Sequence, residues 1–255
     1  MSASVTLACK IYVEGDARER TLRSLRGMVG DRIADLDADV DLSIREDDFP
    51  VVDLEGPDAT AAGNLLGEEF GTIPDELVPG ETYVGTLESW DDDGFVLDAG
   101  QPVRVPADGL GLGQGSPAQI RDRFGLVQHL PMTFAYGVDS ADAGDAADGE
   151  AADAADGDVT DAADGAPDTV QVELADVERD RLYDWRRGPG RVTVNSATRS
   201  EVRATVNRAG HAQDIVTVER LGLLEQSVVC REGTDPPGLI ASIGEYLPAE
   251  LRAVV

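Results

Sequence analysis

The feature that most constrains the fold is a match of the chain to itself. VVDLEGPDATAAGNLLGE (51–68) aligns without gaps on VVCREGTDPPGLIASIGE (228–245) at a constant offset of 177, with seven of 18 positions identical, Glu55/Glu232, Gly56/Gly233 and Asp58/Asp235 among them. Each run reads as an apolar strand, a glycine turn and an Asp-capped helix. Chance similarity of two short α/β segments is the alternative. The flanks extend the match. On the N-terminal side SVTLACKIYV predicts a strand from about Ser4 to Val13, and Leu22, Leu25, Met28, Val29 and Ile33 fall at helical spacing. VDLSI (40–44) and FPVVDL (49–54) then read as strands, and Asp58 is expected to cap a helix holding Ala61, Ala62, Leu65 and Leu66. On the C-terminal side RVTVN (191–195) is a strand. Thr198 and Glu201 form a capping box, with Gly210 at the far end of that helix. DIVTVER and LEQSVVC read as paired strands, and Asp235, Pro236 and Pro237 start a last helix through Ile240, Ile243 and Tyr246. Both ends therefore read β-α-β-β-α.

Between them lie two segments of different character. GETYVGTLESWDDDGFVLDAGQPVRVPADGL (80–110) alternates at period 2 around a DDDG turn, and TVQVEL (169–174) reads as a returning strand. Residues 138–169 hold 11 acidic groups and no basic one, in near-repeats of AADG. With almost nothing apolar to bury, they are expected to form a flexible insert. The predicted architecture is α+β: two related β-α-β-β-α halves, 1–79 and 191–255, flank a small OB-like β-barrel. Its strands lie in 80–137, the acidic insert is 138–169, and 170–190 supplies the returning strand and an Arg/aromatic joint.

Composition limits the function. The chain carries 21 Lys+Arg against 50 Asp+Glu, a net charge of -29, yet 42% of it is hydrophobic, enough for a core. Lys10 is its one lysine. Dense carboxylates, depleted lysine and abundant Ala and Gly suit a proteome adapted to molar salt, where the Debye length is about 3 Å and self-repulsion is screened. No apolar run approaches the ~18 residues of a membrane span, and the N-terminus lacks a signal peptide's basic and apolar regions, so a cytoplasmic protein is expected. Cys9, Cys230, His129 and His211 are too few and too scattered for a disulfide framework or a zinc site. GLGLGQGSP (109–117) lacks the lysine of a phosphate loop, and three adjacent carboxylates at 91–93 do not converge on a cation. No catalytic residue, metal or cofactor is expected.

The spacing of Gly80, Gly85, Gly94 and Gly100 around the strands of 80–110 resembles the small RNA-binding barrels of the OB class, including the cold-shock and ribosomal-protein types. The strings RDRFGLVQHLPM, RLYDWRRGPG and ERLGLLEQSVVC resemble an archaeal domain-of-unknown-function family found in haloarchaea, over the whole chain apart from the acidic insert. That resemblance implies lineage and a consistent fold, and no activity.

Two groups of residues fit RNA. Arg179, Arg181, Arg186, Arg187 and Arg191 lie with Tyr183 and Trp185 in 13 residues. Guanidinium groups contact phosphates and aromatic faces stack bases. The opposing reading pairs these arginines with Asp180, Asp184 and other carboxylates, with Trp185 anchoring an interdomain joint. On the barrel, Tyr83, Trp90, Phe95, Phe124 and His129 are candidates for a stacking face beside Arg104, Arg121 and Arg123, with Phe95 fitting the core equally well. The expected function is non-enzymatic RNA binding within translation or transcription of a halophilic archaeon, with single-stranded RNA or a ribosome or RNA polymerase complex as partner. The alternative is a protein–protein adaptor docking on a large complex without nucleic-acid contact. The oligomeric state is not set by the sequence.

Overall fold

The computed structural model describes residues 1–137 and 170–254, so the expectation for the acidic insert lies outside the described residues. The described chain is α+β, with six α-helices and three antiparallel sheets.

The first unit comprises β1 (Ser2–Thr6), α1 (Gly15–Arg32), β2 (Asp39–Ile44), β3 (Pro50–Glu55) and α2 (Ala59–Phe70). Its sheet has the order β1-β3-β2, and Leu25 and Val29 of α1 and Ala62 and Leu66 of α2 cover Val52 and Leu54 of β3. The first strand stops at Thr6 rather than at Val13. Leu7, Ala8, Cys9, Lys10 and Ile11 are buried consecutively, so this run has no exposed face and passes between units instead of lying in a sheet.

The second unit is β4 (Glu81–Asp91), β5 (Gly94–Asp98), β6 (Pro102–Pro106), α3 (Pro117–Phe124), β7 (Pro131–Tyr136) and β8 (Val172–Leu174). The strands follow the order β6-β5-β4-β7-β8, with β8 returning against β7 as the sequence predicts. The sheet is open. No ladder joins β6 to β8 among the described residues, and a 3-10 turn at Asp108–Leu110 sits between these edges, which corrects the expectation of a closed barrel. With only three residues, β8 is too short to close the ring. A helix over residues 176–187, α4 (Asp176–Arg187), occupies the run read as a joint.

The third unit is β9 (Arg191–Val194), α5 (Arg199–Arg208), β10 (Ile215–Arg220), β11 (Gln226–Cys230), α6 (Pro236–Ile243) and β12 (Leu251–Ala253). Its order is β10-β11-β9-β12. The short last strand has too few residues to show a period and was not expected from the sequence.

The first and third units share element order and pairing: the third strand of each lies between its first two, antiparallel to both. The two matched segments both fold as strand, turn and helix. The turn glycines agree, Gly56 at φ +140° and Gly233 at φ +86°, both in a region that other residues rarely adopt. The capping aspartates do not agree. Asp235 accepts from the Gly238 amide at 3.0 Å and caps α6, whereas the Asp58 carboxylate turns away from α2 to accept from the Asp37 amide at 2.9 Å. The capping box of Thr198 and Glu201 forms as expected.

Hydrogen exchange distinguishes the two aspartates. Asp235→Ala should cost about 0.5–2 kcal/mol and deprotect the Gly238 amide. Asp58→Ala should deprotect Asp37 while leaving the first turn of α2 as it was, and loss of protection in that turn would contradict the assignment.

Candidate functional site

Helix α4 carries the Arg/aromatic run, and its acidic residues recur at i±3 from the arginines. Arg179 pairs with Asp176 and, at 3.3 Å, with Glu173; Arg181 pairs with Glu178; Arg187 meets Asp184 at 3.2 Å. Arg191 at the start of β9 pairs with Glu219 and donates to the Ser227 hydroxyl at 2.9 Å. The Arg186 guanidinium lies 5.4 Å from the Phe124 ring centre. Tyr183 stands edge-on to Phe124 and donates to the Gly111 carbonyl at 3.3 Å. Trp185 is 5% exposed and packs in the core of the second unit, with Arg181 and Arg191 at 5.1 and 5.5 Å from its ring. Arg181 of α4 and Arg191 of β9 thus both approach the buried indole.

The residues expected on the sheet divide. Phe95 and Phe124 are fully buried core residues. The Tyr83 hydroxyl accepts from the Val78 amide at 2.8 Å, and its ring tilts against Phe134. Arg104 grips Asp91 through two hydrogen bonds of 2.6 and 2.9 Å, which tie the DDDG turn to β6. Arg123 donates to the Leu112 carbonyl at 3.3 Å and to that of Gln114, ordering the glycine-rich loop. Trp90 and Arg121 form a cation–π pair, the guanidinium 3.5 Å from the indole centre. Arg121 is buried and pairs with Glu250, which also accepts from Arg252 at 2.7 Å and from the Gln128 amide at 2.9 Å. These side chains border a polar cleft of about 630 Å³ between the second and third units. Among the described residues, three of the four buried side-chain polar atoms left without a hydrogen-bond partner are the Nε atoms of Arg121, Arg181 and Arg191. Each belongs to a guanidinium lying on an indole, whose π face supplies the attraction that an acceptor otherwise would.

A further polar cluster lies where all three units meet. The Lys10 ammonium pairs with Glu88 at 2.9 Å and Asp98 at 2.6 Å. Glu88 also accepts from Thr86 at 2.7 Å and sits 3.2 Å from His129 Nδ1. The His129 ring stacks on Tyr12 with centres 3.9 Å apart. The Tyr12 hydroxyl donates to Glu225 at 2.7 Å and accepts from the Ser196 amide at 2.9 Å. Burial pushes the Glu225 carboxyl up to about 8, with the Tyr12 and Leu224 hydrogen bonds too weak to offset it. Burial acts the same way on Glu88, but hydrogen bonds from His129, Lys10 and Thr86 outweigh it and hold that carboxyl down at about 2. Burial raises the Tyr12 phenol as well. The two acids of one chain of contacts are thus shifted in opposite directions.

Backbone conformation marks the same place. Among the described residues, Asp48, His129 and Ser196 are the only non-glycine residues with positive φ, one in each unit. His129 and Ser196 contact Tyr12, and the Asp48 carbonyl accepts from the Ile11 amide at 2.9 Å. Such conformations cost about 1–3 kcal/mol each and persist where surrounding contacts fix them. The sequence holds one signal for this junction, the lone lysine at position 10. The carboxylates that meet it lie 78 and 88 residues away, beyond the reach of any local pattern.

This arrangement contains fixed charges and buried proton-binding groups. Among the described residues no group of three His, Cys, Asp or Glu side chains could hold a metal ion, and no helix is long and apolar enough to cross a membrane. Family models match the chain in three consecutive parts: a DUF2110 N-terminal domain over 4–76, a DUF2110 central domain over 77–153 and a DUF2110 C-terminal domain over 189–255. No curated protein matches it.

The opposed carboxyls give a pH signature. Glu88, lowered when folded, contributes stability above the ordinary carboxylate range that is lost as pH falls toward 2. Glu225 does the reverse: the folded state retains its proton, so stability falls as pH rises from about 4.3 through about 8. The melting-temperature difference between Glu225→Gln and the parent chain should therefore shift in the variant's favour between pH 5 and pH 8. A difference independent of pH would mean that Glu225 is ionised in the fold.

Proposed function

The chain belongs to the DUF2110 family, and we propose that it acts as a non-enzymatic protein–protein adaptor that docks on a larger complex without nucleic-acid contact. One observation carries this reading. The arginines expected to meet phosphates are engaged within the chain by carboxylates, carbonyls and rings, and Trp185, expected to stack a base, is buried. An RNA strand would have to displace these partners against a net charge of -29. A body of three units locked at one polar junction presents fixed surfaces, which is what an adaptor needs. The reading takes the first and third units as related halves, supported by their common strand order, and the middle unit as an opened relative of the OB class, supported by its glycine spacing. It places the protein in the cytoplasm of a halophilic archaeon, supported by the single lysine and the acidic surface.

The second reading is single-stranded RNA binding at the cleft bordered by Trp90 and Arg121, favoured by their stacked geometry. Fluorescence anisotropy with a labelled oligouridylate separates the two. The adaptor reading expects no saturable binding at any salt concentration that preserves the fold, and proteins retained on the immobilised full chain after nuclease treatment. Saturable RNA binding, weakened by about 1–3 kcal/mol in Trp90→Ala, would replace it with the second reading.

A further inference from the structure

Helices α1 and α5 are the first helices of the two similar units, and they face each other across a groove of about 370 Å³. That volume lies within the range of about 300–1,000 Å³ typical of binding pockets. Val13 and Ala17 line one wall, Ala204 the other, and Leu224, Leu247 and Pro248 complete an apolar lining. The charge around it departs from the rest of the molecule. Together the two helices carry eight of the chain's 21 basic residues and only four of its 50 acidic ones. Glu201 is the one carboxylate in the lining, and it is occupied: it accepts from the Thr198 amide at 2.9 Å and from Arg20 at 3.0 Å. Arg208, two turns beyond Glu201 on α5, lies 4.6 Å from the ring of half-exposed Tyr246 and forms no ion pair among the described residues. An apolar slot bordered by Arg20 and Arg208 is thus set in a strongly acidic protein.

We propose that this groove receives an acidic amphipathic segment of a partner protein, with one bulky apolar side chain seated between α1 and α5 and carboxylates meeting Arg208 and the exposed arginines of the two helices. The proposal rests on the adaptor reading and names its docking surface. The apolar lining favours a peptide over RNA. Tyr246 is the one aromatic ring in the lining among the described residues, and Arg208 already covers it. An amphipathic helix laid in a groove obtains affinity from its apolar anchor and selectivity from charges at the rim.

Anisotropy titrations of the full chain test this with three labelled probes: an amphipathic peptide of Glu, Ala and Leu with a single Phe, the same peptide with Lys for every Glu, and an oligouridylate. The Glu peptide should bind saturably and the Lys peptide about tenfold more weakly or not at all. Ala204→Trp, which fills the groove from an exposed position, and Arg208→Glu should each weaken the Glu peptide about tenfold with an unchanged melting temperature. No binding of the Glu peptide to the parent chain, equal binding by both variants, or RNA binding that is lost in the same variants would overturn the proposal. A photo-crosslinker placed at position 204 or at exposed Val216 on β10, outside the groove, separates this claim from the one beneath it. Partners captured from 216 and not from 204 would remove the groove and leave the adaptor reading standing.

Discussion

One phenol connects three domains. Tyr12 leaves the buried segment after β1, stacks its ring on His129 of the second unit, and shares its hydroxyl between Glu225 and the Ser196 amide of the third. Its neighbour Lys10 turns the opposite way into Glu88 and Asp98. Two residues of one extended run therefore set how the first unit sits on the rest. A buried polar group without its partner costs about 1–3 kcal/mol, so loss of the hydroxyl would expose two such costs together, at Glu225 and at Ser196. Positive φ at Asp48, His129 and Ser196 follows from the same demand, since these residues place a carbonyl, a ring and an amide against the Lys10–Tyr12 segment.

Contacts elsewhere between the units reinforce this arrangement. Val254, next to β12, packs into the core of the second unit, and the Thr193 hydroxyl donates to the Gly125 carbonyl. Gly125 has φ +61°, and a Cβ there would lie 3.0 Å from the Ala253 carbonyl, so this close approach requires a glycine. Arg220 of the third unit reaches Glu69 on α2, and Leu223 enters the core of the first unit. The two tryptophans do comparable work at the second and third units' boundary, each covered by guanidinium groups whose charges are paired to carboxylates. Arginine serves here as an internal fastener. Its planar, weakly hydrated head can stack and pair at once, which the compact lysine ammonium does less well.

How much of this was legible in the sequence follows from the range of each interaction. Local signals were read correctly where a few neighbouring residues decide the outcome, as in the Thr198–Glu201 capping box, the turn at Gly233 and the helix started by Asp235. Asp58 misled because its carboxylate serves Asp37 instead of its own helix. A strand running to Val13 overruns β1, which ends at Thr6, because Leu7–Ile11 are largely apolar and burial on all sides removes the alternation that would mark its end. Arginine enrichment at 179–191 was visible, but the partners that consume it, Glu173, Glu178 and Glu219, are fixed by the fold. The junction was invisible for the same reason. It assembles residues 10, 12, 88, 129, 196 and 225, and only the scarcity of lysine hinted at the first of them.

A junction of this kind makes the three units one cooperative body. Scanning calorimetry of the full chain, at the salt concentration where it is most stable, measures this directly through the ratio of calorimetric to van't Hoff enthalpy. A junction that holds the units together predicts a single transition with a ratio near one. It also predicts that Tyr12→Phe lowers the midpoint or splits the transition. Separate transitions in the parent chain, or a Tyr12→Phe variant that melts as the parent does, would contradict it.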